Sequence, residues 1–207
     1  MSRGSALTTT SYALLGLLAV KPWSTYELTQ QMDRSLGRFW PRSTSKLYEE
    51  PKKLVAEGLA RTTSEQAGGR TRTVYTITAK GRRALAGWLQ EPGAGPVLDF
   101  EQLLKVFFAD HGSTGATRAT LAATRDWAEE RNEVNRIVGR AYLAGEAPFQ
   151  ERAAQTLLVG RFLTDFYKMV ADWADWASTQ VQGWPDDPAQ AVPDPAAQRE
   201  SVHRAEW

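Results

Sequence analysis

The side chains best suited to bind a ligand are hydroxyl and basic groups that cluster between Trp40 and Ile77. A short helix predicted in this stretch carries hydroxyls and lysines near its start, and the loop between two predicted strands carries arginines. Lysine and arginine neutralise phosphates, and hydroxyls bind phosphates or base edges. The candidate contact residues are Tyr26, Arg42, Ser43, Ser45, Lys46, Tyr48, Lys52, Arg70 and Arg72. These residue types predict a surface that binds double-stranded DNA.

A solvated helix face is the alternative interpretation of the same residues, and the distribution of charge weighs against it. The first 90 residues carry 14 Lys and Arg against 6 Asp and Glu, a net charge of +8, whereas the rest carry 11 against 18, a net charge of −7. A basic half joined to an acidic half is typical of a nucleic-acid module attached to a module of another kind. Glu49 and Glu50 oppose this interpretation locally, because carboxylates either face away from phosphates or read cytosine.

The sequence offers no set of residues suited to catalysis, to a metal or to a cofactor. Its 207 residues include no cysteine, which removes thiolate chemistry and favours a reducing compartment. His111 and His203 are the only histidines, and neither has partners for a zinc site or a catalytic triad. The apolar run from Tyr12 to Val20 is too short to span a bilayer. We therefore expect a cytoplasmic protein that is not an enzyme and needs no cofactor.

Hydrophobic periodicity and capping signals predict a winged helix-turn-helix over residues 9–90. The first predicted helix is 9–20, capped by Thr10 or Ser11, and the second begins with the Ser24 and Glu27 capping box, turns Tyr26, Leu28 and Met32 inward and ends near Gly37. The third is capped by Ser43 or Thr44 and ends at Gly58. The fourth is 79–89, capped by Thr78, with Leu85, Trp88 and Leu89 inward. Strands are predicted at 59–64 and 70–77. Pro51 lies inside the third helix, where its missing hydrogen bond costs roughly 3 kcal/mol. A kinked helix is predicted there, with two separate segments as the alternative.

Residues 98–181 are predicted to form a helical dimerisation domain after a Pro- and Gly-rich linker at 92–96. Helices are predicted at 100–110, capped by Asp99 with Gln102, at about 117–144 and at 149–181. The last helix has two apolar stripes: a first stripe of Ala153, Thr156, Gly160, Leu163, Tyr167, Val170, Ala174 and Ala177, and a second stripe of Leu158, Phe162, Phe166, Met169, Trp173 and Trp176. The preceding long helix can cover only one of them. The stripe that it leaves uncovered is therefore predicted to meet a second copy of the chain.

Two further predictions concern the end of the chain and its aromatic residues. Several prolines and scattered charges after residue 181 predict a disordered tail over 182–207. A flat aromatic effector could bind in a pocket lined by Trp127, Tyr142, Phe162, Phe166, Trp173 and Trp176. Packing in the core and in the dimer accounts for the same residues without a ligand.

The chain resembles the PadR family of bacterial transcriptional regulators, in the branch with a helical C-terminal domain. The resemblance rests on Tyr-Ala-Leu-Leu-Gly-Leu-Leu at 12–18, Ser-Thr-Tyr-Glu-Leu at 24–28, Phe-Trp-Pro at 39–41, Leu47-Tyr48 with Lys53-Leu54 and Gly58-Leu59, and Tyr75, Ile77, Thr78 and Gly81. It implies a dimeric winged-helix repressor, of a kind often released from its operator by a small aromatic compound. The chain departs from the family pattern at Thr25, where glycine is common, and at Pro51, where an aliphatic residue is common.

Composition, pattern and resemblance together predict a homodimeric, sequence-specific regulator that binds a pseudo-palindromic operator. The expected fold class is mainly α with a small β-hairpin wing, in which an N-terminal winged helix-turn-helix is followed by a long-helix dimerisation domain. The alternative is a winged-helix module that docks a protein partner without sequence-specific DNA binding.

Overall fold

The computed structural model describes residues 7–41, 43–67 and 70–206, without the side chains of residues 44–46, 67 and 70. The chain divides after Pro96 into two compact units. The first unit combines helices with a small antiparallel sheet, and the second consists of helices in its described part. This architecture confirms the predicted fold class, mainly α with a β-hairpin wing.

The first unit is built from four helices and three short strands among its described residues. Its elements are α1 (Thr9–Val20), β1 (Trp23–Ser24), α2 (Thr25–Ser35), α3 (Thr44–Ala56), β2 (Ala60–Ala67), β3 (Arg70–Ile77) and α4 (Ala79–Trp88). Leucines on three of the helices form the core, where Leu14, Leu28 and Leu54 are almost completely buried. The ring of Trp88 stacks on Tyr12 with 5.0 Å between ring centroids, which joins α4 to α1.

Side-chain caps determine where these helices begin. Ser24 and Glu27 form the predicted capping box of α2, and the Thr78 hydroxyl accepts the Gly81 N–H at 3.1 Å to begin α4, also as predicted. The cap of α1 is Thr8, paired with Ser11, so the prediction of Thr10 or Ser11 as the cap was wrong by two or three residues. Both predicted residues are buried inside the helix, where they cannot begin it.

Helix α2 ends at Ser35, near Gly37 as predicted, and passes into a 3-10 turn over Leu36–Arg38. Three side chains of the first unit differ from the prediction. Tyr26, Trp88 and Leu89 were predicted to face inward, but all three are exposed. Each lies near an end of its helix, where the neighbouring elements no longer cover every face.

The sheet has the order β1-β3-β2, and both pairings are antiparallel. Strand β1 was not predicted, because a two-residue strand leaves no periodicity to detect. Its Trp23 pairs with Tyr75 and donates its indole N–H to the Leu17 carbonyl at 2.9 Å. At the base of the hairpin Val74 and Ile77 are buried, whereas residues 61–66 and 71–73 are exposed. The outer half of the hairpin therefore projects from the core as a wing.

The second unit is dominated by two long helices that run antiparallel. Its helices are α5 (Glu101–Phe107), α6 (Thr114–Leu143), α7 (Ala153–Gln182) and α8 (Pro195–Arg204). Asn135 of α6 donates its amide to the Gly160 carbonyl at 2.9 Å and to the Thr164 hydroxyl at 2.6 Å on α7. Near the other end, Arg125 pairs with Asp175 at 2.8 Å. These contacts fix the register of the two helices.

The helix boundaries of this unit depart from the predictions by a few residues. Helix α5 is shorter than predicted, and its N-cap residue is Phe100 rather than Asp99. Helix α6 begins at Thr114 because the Ser113 hydroxyl accepts the Ala116 N–H, and α7 begins at Ala153 after a 3-10 turn over Gln150–Arg152.

The segment predicted to be a disordered tail contains regular structure. A 3-10 turn at Pro188–Gln190 and helix α8 each begin with an aspartate cap followed by proline. The Thr114 N–H donates to the Asp186 carbonyl at 3.4 Å, and Pro188 is buried. Proline, which suggested disorder, here occupies first helical positions, where it has no hydrogen bond to lose.

Candidate nucleic-acid interface

Helix α3 turns one face to the core and the opposite face to solvent. Leu47, Pro51 and Leu54 are buried, whereas Tyr48 and Lys52 are exposed, Tyr48 at 42% of its surface. Because Tyr48 and Lys52 are four residues apart, they lie on the same side of the helix. A phenol and an ammonium group therefore share an outward face, as contact with a DNA groove requires.

Pro51 does not divide the helix. Helix α3 is continuous from Thr44 to Ala56 with Pro51 inside it, so the alternative of two separate segments was wrong. Proline cannot donate to the Leu47 carbonyl, but its ring is almost completely buried. Burial of that apolar ring offsets part of the lost hydrogen bond.

The end of α3 is fixed by Gly58, as predicted. Gly58 has a left-handed backbone with φ +69°, and its N–H donates to the Val55 carbonyl at 2.9 Å. The next residue, Leu59, donates to the Leu54 carbonyl at 2.8 Å. This pair of hydrogen bonds is a Schellman cap, which sets the angle between α3 and the wing.

The other candidate residues of this region are only partly described. Ser43 is exposed and is the N-cap residue of α3. Tyr26 is exposed on α2, where its phenol oxygen accepts the Gln30 amide at 2.7 Å. Arg42 lies outside the described residues, as do the side chains of Ser45, Lys46 and Arg70.

Arg72 of the wing is held by two carboxylates. Its guanidinium lies 2.9 Å from Glu65 on the neighbouring strand and 3.3 Å from Glu27 on α2. Glu27 also accepts the Ser24 N–H at 2.8 Å, so one carboxylate joins the start of α2 to the wing. The sequence identified Glu27 as a capping residue, but its contact with Arg72 depends on the fold. The wing is thereby oriented against α2.

These contacts predict that part of the stability of the first unit depends on pH. Hydrogen bonds from the backbone and side chain of Ser24, and then the charge of Arg72, hold the pKa of Glu27 below its ordinary value of 4.5. A carboxyl group with a lowered pKa stabilises the fold fully above that value, and the stabilisation is lost as the pH falls below it. Thermal unfolding measured from roughly pH 3 to 7 should therefore show that the melting temperature of the unaltered chain falls more steeply below pH 4.5 than that of Glu27→Gln. Equal slopes would contradict the assignment.

The two glutamates of α3 have different environments. Glu49 is exposed, whereas the side chain of Glu50 is only 15% exposed and contacts α1. Its carboxylate accepts a hydrogen bond from Ser11 and lies 3.7 Å from the Lys53 ammonium. Sequence reasoning missed the contact with Ser11, because a buried serine on α1 gives no signal about its partner.

The second unit brings together only some of the predicted effector residues. Phe100 lies 6.4 Å from Trp127 and 6.3 Å from Trp173 between ring centroids, and Trp127 lies 5.7 Å from Tyr167. Phe166 contacts Tyr167 at 5.8 Å. Phe100 and Tyr167 were not predicted as members of this group.

The remaining effector candidates have different surroundings. Tyr142 donates its hydroxyl to the Pro148 carbonyl at 3.2 Å, near the connection between α6 and α7. Trp176 packs on a cluster of Leu121, Ala177 and Val181, against which Trp173 also packs, and Phe162 is exposed.

The two stripes of α7 differ in burial. In the first stripe, Leu163, Tyr167, Val170, Ala174 and Ala177 are buried. In the second stripe, Leu158 is 74% exposed, Phe162 60% and Met169 54%. The other three members of that stripe, Phe166, Trp173 and Trp176, are half-buried. Within this chain, α6 and α7 thus leave a row of large apolar side chains in contact with solvent.

Comparison with known proteins covers both units. Residues 14–87 match the transcriptional regulator PadR-like family, and residues 101–182 match the family described as virulence activator alpha C-term. The negative transcriptional regulator PadR of Bacillus subtilis is 37% identical over 100 residues, which are 47% of this chain and 54% of that protein. A probable transcriptional regulator of Mycobacterium tuberculosis is 26% identical over 83% of this chain and 96% of its own.

Solved structures resemble the fold over most of the chain. Bacillus subtilis PadR in complex with operator DNA superimposes with a TM-score of 0.73 at 23% identity, covering 84% of this chain and 99% of that one. The same protein in complex with p-coumaric acid gives a TM-score of 0.64 at 24% identity, covering 83% and 94%.

A winged helix-turn-helix with Tyr48 and Lys52 on its outward face, followed by long antiparallel helices, is an architecture of DNA-binding transcriptional regulators. The matching relatives are named as regulators and not as enzymes. The matches to both units narrow this class. Residues 14–87 belong to the transcriptional regulator PadR-like family. In the described part of the chain, no helix is long and apolar enough to cross a membrane.

Proposed function

We propose that this protein is a homodimeric, sequence-specific repressor that binds a pseudo-palindromic operator in the cytoplasm. The observation that carries the proposal is the exposed face of α3 with Tyr48 and Lys52, in a segment of net charge +8. A basic helix face beside a wing is the arrangement with which winged helices enter a major groove. Repression is proposed because the Bacillus relative is named a negative regulator.

The candidate residues have different roles in this proposal. Lys46 and Lys52 neutralise phosphates, and Arg42, Ser43, Ser45, Tyr48 and Tyr26 bind phosphates or base edges. Arg70 and Arg72 extend from the wing toward the neighbouring minor groove, whose negative potential attracts arginine. Because Arg72 is paired with Glu27 and Glu65, it must exchange these carboxylates for phosphate when DNA binds.

Dimerisation is proposed through the second stripe of α7. Large exposed apolar side chains in a row along a helix mark an interface, and closed two-fold dimers are the commonest assembly. A dimer of this kind presents two copies of α3 to half-sites about 34 Å apart, or a multiple of that distance. Binding at both half-sites then multiplies the affinity of each.

A small aromatic effector is proposed to release the operator. The Bacillus protein was solved with p-coumaric acid, and this chain gathers Phe100, Trp127 and Trp173 within one unit. An effector that favours one arrangement of the long helices would change the separation of the recognition helices and hence the affinity.

The test is an electrophoretic shift with fragments selected by the protein from its source genome, repeated at increasing salt. Lys52→Ala should weaken binding. It should also reduce the slope of the logarithm of the binding constant against the logarithm of the salt concentration by about 0.9 for each copy of Lys52, because each copy neutralises one phosphate. Lys168→Ala is the control, because it removes the same charge from an exposed position on α7.

Three outcomes distinguish the proposals. An unchanged slope with Lys52→Ala would remove this face of α3 from the interface. Binding without sequence preference would favour the protein-docking alternative. Aromatic carboxylates added to the same gels should release the fragment if the effector proposal is correct.

A further inference from the structure

We propose that Glu50 is a positioning residue that fixes the recognition helix α3 on the N-terminus of α1. The inference rests on the proposed function, because its readout is operator binding. In this role the carboxylate of Glu50 would affect DNA binding through the position of α3, without contacting DNA.

The geometry places half-buried Glu50 in a polar contact at the edge of the apolar core. Its Oε1 accepts the hydroxyl of Ser11 and lies 3.4 Å from the hydroxyl of Thr8. Ser11 is completely buried. A buried hydroxyl without an acceptor is strongly disfavoured, so Ser11 holds the carboxylate in one position.

The hydrogen bonds of Ser11 form a chain that ends at Glu50. The Thr8 N–H donates to the Ser11 oxygen at 2.9 Å, and the Ser11 N–H donates to the Thr8 hydroxyl oxygen at 3.2 Å. With its oxygen occupied as an acceptor, the Ser11 hydroxyl has its one proton free for Glu50. The capping box that begins α1 is therefore extended to α3.

The position of Glu50 along α3 makes this contact effective. It directly precedes Pro51, which cannot close the hydrogen bond to the Leu47 carbonyl, so the helix is less constrained by its own backbone at this point. Tyr48 and Lys52 lie two residues to either side of Glu50, and a change in the angle of the helix would move both. Lys53, 3.7 Å from Glu50, partly neutralises its charge.

The experiment compares Glu50→Gln with Glu50→Ala in operator binding by the whole 207-residue chain. Both variants remove one negative charge near the DNA, but the amide oxygen of Gln can still accept the Ser11 hydroxyl. We expect Glu50→Gln to bind at least as tightly as the unaltered protein and Glu50→Ala to bind about tenfold more weakly than Glu50→Gln, within the range of measured couplings between contacting residues. The salt slopes of the two variants should be equal.

Ser11→Ala provides a second, independent measurement. It should weaken binding as Glu50→Ala does, and the double variant should bind no more weakly than either single variant, because both remove the same contact. All affinities are measured at a temperature where circular dichroism shows the variants folded. Should Glu50→Ala fail to fold, the comparison is made between Ser11→Ala and Glu50→Gln, with the same expected difference.

Equal binding by Glu50→Ala and Glu50→Gln would overturn the inference, because charge alone would then account for the effect of this residue. Full additivity of Ser11→Ala and Glu50→Ala would overturn it too. Failure of the unaltered protein to bind any selected fragment would instead refute the proposed function.

Discussion

We expect Phe162→Glu to be a monomer at concentrations where the unaltered chain is a dimer, and to bind operator DNA at least about 100-fold more weakly. Phe162 lies in the exposed part of the second stripe of α7, between Leu158 and Met169, and is 60% exposed within the chain. A dimer that buries this stripe would have to desolvate the introduced carboxylate without a partner. A monomer keeps its contacts with one half-site but loses the gain from binding two.

The measurement is sedimentation or light scattering for the assembly, and a gel shift for the affinity. Thr179→Glu is the matched control, because it adds the same charge to an exposed position of the same helix outside the second stripe. The control should remain a dimer with unchanged affinity. A dimeric Phe162→Glu would show that the interface lies on another surface.

The second large effect concerns Gly81, at the start of α4. A Cβ atom added here would lie 2.1 Å from the Leu59 carbonyl oxygen and 2.9 Å from Cγ1 of Ile77. Both distances are too short for atoms that are not bonded to each other. The Cβ atom would force α4 away from the sheet, because the nearer of the two atoms belongs to the backbone. Gly81→Ala should therefore cost about 3 kcal/mol or more, which lowers the melting temperature of the first unit by more than about 10 °C.

Gly87→Ala is the matched control on the same helix. Nothing lies within 4 Å of a Cβ added at Gly87, so alanine there should stabilise the protein slightly through its higher helix propensity. Thermal unfolding followed by circular dichroism measures both variants. Equal melting temperatures would mean that α4 does not pack on Leu59 as described.

The elements set by local chemistry could be predicted from the sequence. The capping box of Ser24 and Glu27, the cap at Thr78 and the left-handed Gly58 each act within a few residues, so the sequence is enough to identify them. Hairpin β2–β3 and the two stripes of α7 follow from periodicity in the same way. Local signals placed the bounds of α1 correctly but chose the wrong N-cap residue, because several hydroxyl residues follow one another and burial decides which one can cap.

Contacts between distant parts of the chain could not be predicted, and they decide how the candidate site is arranged. Glu27 contacts Arg72, 45 residues further along the chain, and Ser11 contacts Glu50, 39 residues further along. No local sequence pattern around Glu27 or Ser11 specifies these partners. The same holds for β1, whose two residues become a strand only because β3 lies beside them. The sequence by itself determined the class of fold and the basic character of the first 90 residues, since periodicity, caps and charge are properties of short stretches. Only the tertiary structure decided which charged side chains face solvent and which hold the helices in place, since that depends on what packs against each of them.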